Sequence, residues 1–112
     1  MPVTGPEYGQ LILRQQIGDY VPEALIGEGA VAMVYRAQLA ANSPADATED
    51  YPSQVALKVL KPDAVKQPQV LASFQYEGRV LARLNHSSLL RVYDTGSDNR
   101  HVYMAMELVD GM

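Results

Sequence analysis

The chain contains no cysteine in its 112 residues, so neither a disulfide framework nor a thiolate metal site can be built from it. Histidine is nearly as scarce. His86 and His101 lie too far apart in sequence to form a local ligand pair, and no metal held by the protein itself is expected. Basic residues number 9 against 13 acidic ones, and the resulting net charge of −4 removes the electrostatic case for a nucleic-acid partner. No stretch approaches the roughly 18 consecutive apolar residues that would suggest a membrane-crossing helix. The opening MPVTGPEYGQ also lacks the basic-then-apolar pattern of a secretory leader, which makes the cytosol the expected compartment.

What remains is the composition of a globular domain, 47% hydrophobic and 20% charged. A chain of this length forms one domain or part of one and can bury roughly 60 to 70% of its unfolded surface.

The first residues, MPVTGPEYG, are rich in proline and glycine and are expected to fray, and the short apolar runs that follow are broken by Gly18 and Pro22. Pro22 marks an edge strand or the start of a strand. From Ala30 onward, Val31, Met33 and Tyr35 alternate with Ala32, Val34 and Arg36, a period of two that predicts a hairpin turning through Gly27 to Gly29. Residues 40–53 are polar and acidic and read as a flexible insertion, because connections of that length are uncommon inside compact domains. QVALKVLKP is a buried strand stopped by Pro62. After Pro68 the period changes: Val70, Phe74, Glu77, Leu81 and Leu84 follow one another at spacings of 4, 3, 4 and 3, which predicts one helix ended by NHSS. Two further strands, LLRVYDTG and HVYMAMELV, are joined by the turn-forming cluster SDN. The element order is strand, strand, strand, helix, strand, strand.

Glu77 falls on the apolar stripe of that helix, and its neighbours three and four residues away, Ser73, Phe74, Val80 and Leu81, include no cation. Lys58 interrupts the apolar run of the third strand. A buried acid and a buried base on adjacent elements are expected to pair, since an unpaired buried charge costs several kcal/mol. From the two residues alone, the alternative that Lys58 snorkels to the edge and Glu77 lies at the rim of the stripe is equally open.

The stretch from Gly27 to Ala32, GEGAVA, also fits the dinucleotide fingerprint, whose last glycine admits alanine. That reading needs an uninterrupted strand before the loop, a helix after it and an acid about 20 residues on. Pro22, Glu23 and the period-two pattern after the loop argue against it. A plain hairpin turn explains the glycines but leaves Lys58 and Glu77 without a role.

From about Tyr20 to Met112 these motifs, in this order, resemble the N-terminal lobe of the eukaryotic-type (Hanks-type) protein kinases, most closely the bacterial serine/threonine branch. IGEGAVAMVYRA resembles the glycine-rich loop, VALK the strand with the phosphate-binding lysine, YEGRVLARLNH the helix with its paired glutamate, and VYMAMELVDG the fifth strand running into the hinge. Ala32 stands where the family has a third glycine, and Ser87 where a proline often follows the histidine. The resemblance implies an α+β fold, a five-stranded antiparallel sheet with one main helix, with residues 1–19 as an N-terminal extension and 20–112 as the lobe.

The resemblance implies a binding role for ATP. Ile26, Gly27, Glu28, Gly29, Ala30, Val31 and Ala32 would form the loop over its phosphates, with Val34 and Ala56 roofing the adenine and Met106 behind it. Lys58, oriented by Glu77, would reach the α- and β-phosphates. The hinge would contribute the Glu107 carbonyl and the Val109 carbonyl and N–H, while Leu81 and Val92 match a hydrophobic spine. Magnesium would be bound only through the other lobe. No His-Arg-Asp or Asp-Phe-Gly motif occurs before Met112. The implied function is therefore the ATP-binding lobe of a serine/threonine kinase, inactive alone, whose partners would be ATP, its own C-terminal lobe and a protein substrate. The alternative is a non-catalytic kinase-like interaction module. Without a second lobe, Val34, Ala56 and Met106 are expected to be open to water.

Overall fold

The computed structural model describes residues 12–41, 52–83, 91–98 and 101–109. Five strands and two helices follow in order: β1 (Tyr20–Glu28), β2 (Ala32–Leu39), β3 (Gln54–Leu60), α1 (Pro62–Val65), α2 (Pro68–Arg83), β4 (Val92–Asp98) and β5 (His101–Met106). They form one antiparallel sheet in the order β1-β2-β3-β5-β4, the arrangement expected from the sequence with a four-residue helix added. The polar insertion lies outside the described residues over 42–51, as do the fraying first residues and the helix end at 84–90. Its flanks are tied together, because the Leu39 N–H donates to the Ser53 carbonyl at 3.0 Å.

Strand register explains why a short sheet can bury two cores. Side chains alternate across a strand, so register partners share a face. Tyr35 pairs with Leu57, and Leu57 with Ala105, on one face. Ala32 pairs with Leu60, and Val34 with Lys58, on the other. The first face carries the larger core, where Tyr35, Leu57 and Val55 are fully buried. Each such apolar side chain contributes about 1.5 to 3 kcal/mol relative to exposure. The second face packs Leu60 and Met104 against Ala64 of α1 and Phe74 of α2.

The first core is closed by chain that lies before the sheet. Ile12 and Ile17 are buried in it, and Tyr20 meets Tyr103 edge to face with ring centroids 5.8 Å apart. Gly18 makes the turn possible. Its φ of +59° is the left-handed region, and an added Cβ would collide with the Tyr103 hydroxyl. The Gly18 N–H donates to Asp98 Oδ2 at 2.7 Å, and the Tyr20 hydroxyl donates to Asp94 Oδ2 at 3.2 Å. Pro22 sits near the start of the edge strand β1, as its lost N–H requires, and its carbonyl accepts from the Arg14 N–H at 2.7 Å. Register shifts on either side of Ala24 and Leu25 bend β1.

Candidate functional site

Gly27 and Glu28 end β1, pairing with Val34 and Met33, and the Gly29 N–H closes the turn on the Ala32 carbonyl at 2.8 Å. Ile26 and Gly27 are half-buried, Glu28, Gly29, Ala30 and Val31 are exposed, and Ala32 is buried. Neither loop glycine adopts a positive φ. A Cβ on Gly27 would lie 3.7 Å from Val34 Cβ, and one on Gly29 would lie 3.7 Å from the Ala32 carbonyl oxygen, both ordinary contacts. The fold itself therefore does not require glycine at either position. The room they leave lies outside the chain's own packing.

Val34, Lys58 and Met104 lie side by side on the helix-bearing face, and Ala56 pairs with Met106 on that face one step further along. The predicted co-facial set of Val34, Ala56, Lys58 and Met106 is therefore brought together. It is less open than expected. Ala56 is only 2% exposed, and Val34 and Met106 are half-buried. The register partners of Ala56 on both sides, Arg36 and Met106, are much longer side chains.

Lys58 and Glu77 line one groove of about 290 Å³ together with Val31, Gln69, Val70, Ser73 and Phe74. The groove joins the tip of the glycine loop to the first turns of α2. The expected ion pair does not form within it. Lys58 is half-buried with its Nζ 5.9 Å from the centroid of the Phe74 ring, Glu77 is exposed, and the ion pairs among the described residues involve other side chains. Helix geometry supplies the reason. α2 buries Phe74 and Gly78, and at 3.6 residues per turn Glu77 stands about 60° round from Phe74, at the rim of the packed face. Phe74 takes the place beside Lys58 and presents its ring to the ammonium.

Past β5, the Glu107 N–H donates to the Arg91 carbonyl at 2.8 Å, which fixes the departure of the chain toward the exposed Val109. Leu81 packs beside the core containing Val92, as the spine expectation requires, whereas Leu84 and His86 lie outside the described residues. Among the described residues one carboxyl has a displaced pKa, and it is not part of the groove's lining. Burial pushes Asp94 up from the usual range, against the hydrogen bonds it receives from Tyr20 and the Thr95 backbone, and Asp19 adds to the rise. Among the described residues no cluster of three metal-ligating side chains occurs, and no helix is long and apolar enough to cross a membrane.

Sequence reasoning missed Lys61 and Gly78. Lys61 Nζ lies 2.8 Å from Glu28 Oε2, and Gly78 faces Thr95 and Met104. The first could have been suspected from a carboxylate inside a loop otherwise built of small residues. The second is a glycine in a helix interior, where glycine is disfavoured unless something needs the space.

The sequence profile of the protein tyrosine and serine/threonine kinase family matches residues 21–112. Serine/threonine-protein kinase PknL of Mycobacterium tuberculosis is 39% identical over 92 residues, covering 82% of this chain and 21% of PknL. PrkC of Bacillus subtilis is 30% identical over 102 residues, covering 91% of this chain and 14% of PrkC. The chain thus spans about a fifth or less of the length of these relatives. The crystallised kinase domain of M. tuberculosis PknI superposes with a TM-score of 0.68 at 31% identity, over 88% of this chain and 36% of that one. The sheet order, the single long helix and this partial coverage agree: the chain belongs to the protein kinase family and corresponds to the N-terminal portion of its catalytic domain.

Proposed function

We propose that this chain is the ATP-binding lobe of a serine/threonine protein kinase, transferring phosphoryl groups from ATP to protein hydroxyls only when joined to a second lobe. The observation that carries the reading is the pair of glycines that the fold does not need. Gly27 and Gly29 leave space beside the backbone of a loop whose Val31 lines the same groove as Lys58. In this reading the loop from Ile26 to Ala32 covers the phosphates, Lys58 contacts them, and Glu77 swings from the rim to orient Lys58. Val34, Ala56 and Met106 flank the adenine, and the Glu107 and Val109 backbone reads its edge. Bound ATP supplies the phosphoryl group, and magnesium is held by the other lobe. A cytosolic location belongs to the same reading.

The test has two arms. Titration of ATP into the isotope-labelled chain should shift the amides of Gly27, Gly29 and Lys58, weakly because the nucleotide is gripped on one side only. Absence of shifts at these residues with ATP in excess would overturn the reading. Radiolabelled ATP with generic protein substrates should give no transfer above a Lys58→Met control, and turnover above it would require a catalytic base within these residues.

A further inference from the structure

Glu28 is an unexpected side chain to find between the two loop glycines, because it brings a carboxylate to the place where an anionic ligand would arrive. Lys61 answers that charge. Its Nζ lies 2.8 Å from Glu28 Oε2, with the two side chains 21% and 31% exposed. The pairing is backed by the main chain. The Lys61 N–H donates to the Val31 carbonyl at 2.8 Å, so one residue holds the turn at both of its ends. Pro62 fixes this arrangement, because a residue before proline is driven to extended backbone, and Lys61 sits at φ −65°, ψ 152°. The same residue leads the chain into α1, whose Ala64 is buried in the core beneath the helices.

We propose that Lys61 is a positioning residue of the phosphate-binding loop: its ammonium neutralises Glu28, and its two contacts clamp the turn, so that a polyphosphate meets backbone N–H groups instead of a bare carboxylate. This rests on the reading of the loop given above. It assigns a role to a second lysine, three residues beyond Lys58 and past the end of β3, that touches loop and not ligand.

Charge and clamp make opposite demands on Glu28, and this separates them. Lys61→Met keeps the main-chain bond to Val31 but loses the side-chain half of the clamp together with the neutralisation. It should speed amide exchange at Gly29 and weaken binding of ATP, and of inorganic triphosphate, by roughly two- to fourfold, the size of one unscreened charge several ångströms away in water. Glu28→Gln keeps an acceptor for the ammonium but loses the charge pairing, which weakens the side-chain half of the clamp, and it also removes the repulsion, so exchange should quicken while affinity holds or rises. The double variant should recover affinity and keep the fast exchange, and Lys61→Arg should behave as the parent. Both side chains are partly exposed, and circular dichroism of each variant is the control for folding. If Lys61→Met binds triphosphate as tightly as the parent, or Glu28→Gln weakens binding as much as Lys61→Met does, the proposal is overturned. If the parent's loop glycines do not respond to triphosphate at all, the loop reading falls together with the charge role of Lys61. Unchanged exchange in Lys61→Met removes the side-chain half of the clamp independently of any ligand.

Discussion

Replacing Gly78 with alanine is expected to destabilise the lobe, against the usual direction for a glycine inside a helix. On an open helix face the change would gain about 0.8 to 1.0 kcal/mol. Here Gly78 is buried where α2 meets β4, and an added Cβ would overlap the Thr95 Cγ2 methyl and lie 3.2 Å from Met104 Cε. Overpacking of this kind costs about 1 to 3 kcal/mol. The difference is a net loss of about 1 kcal/mol, within a range of about 0 to 2, or a fall in Tm of about 4 to 8 °C per kcal/mol in a domain of this size. Met104 is unbranched and can yield, whereas Thr95 is β-branched and stiff, so Thr95 is the obstacle. Thr95→Ser removes the offending methyl. In that background Gly78→Ala should become neutral or stabilising, because only the helix-propensity gain remains. Thermal unfolding of the four proteins, followed by circular dichroism, reads the sign directly. A rise in Tm for Gly78→Ala alone, or the same shift in both backgrounds, would refute the close-approach argument. The outcome bears on function because Glu77 is the adjacent residue, and a helix pushed off β4 moves its carboxylate.

Asp94→Asn should raise Tm at neutral pH. A carboxyl whose folded pKa is raised by burial binds its proton more tightly when folded, so its favourable contribution is present at low pH and lost as pH rises through the folded pKa. The amide keeps an acceptor for the Tyr20 hydroxyl, and the advantage should shrink as the pH is lowered; an advantage that grows on acidification would contradict the assigned cause. For Lys58→Met and Glu77→Leu, the absence of an ion pair predicts additive effects on stability in this chain, within about 0.5 kcal/mol. A double-mutant cycle with coupling well above that would show that the two charges meet in solution.

The strands were legible wherever one face is buried, because alternation then has to appear in the residues themselves. Met33 and Tyr35 opposite Val34 and Arg36 are the clearest case. The helix was legible from the spacing of Val70, Phe74 and Leu81. Its exact orientation was not, because a stripe of period 3.6 has a rim, and spacing alone cannot say whether Glu77 or Gly78 lies at its centre. Tertiary packing decided this: the close contact with Thr95 turns Gly78 inward and carries Glu77 toward the groove. Helix α1 escaped notice because Pro62 both stops β3 and suits the first position of a helix, and four residues carry no periodicity. Ile12 and Ile17 were hidden for a related reason. They lie in a turn, where no regular spacing distinguishes a core side chain from an incidental one. In the site, the shared face of Val34, Ala56, Lys58 and Met106 followed from parity along the strands. The rim position of Glu77 and the contact of Lys61 with Glu28 depend on side-chain placement between elements far apart in sequence.

The turn before β1 gives the lobe a physical edge that differs from the edge of the family profile's match. The match to the family profile begins at Val21, yet Ile12, Ile17 and Tyr20 are buried in the larger core. Trimming the protein to the matched residues would therefore open a hole behind Tyr35 and Leu57 and leave two aspartates of β4 without the groups that now bond them. The same anchoring gives the segment a mechanical meaning. Tension applied upstream of Ile12 would reach the sheet through the Gly18–Asp98 and Tyr20–Asp94 contacts, loading β4 at the far edge as well as β1 at the near one. The two outermost strands are thus strapped together across the back of the sheet, and peeling β1 away first requires that strap to part.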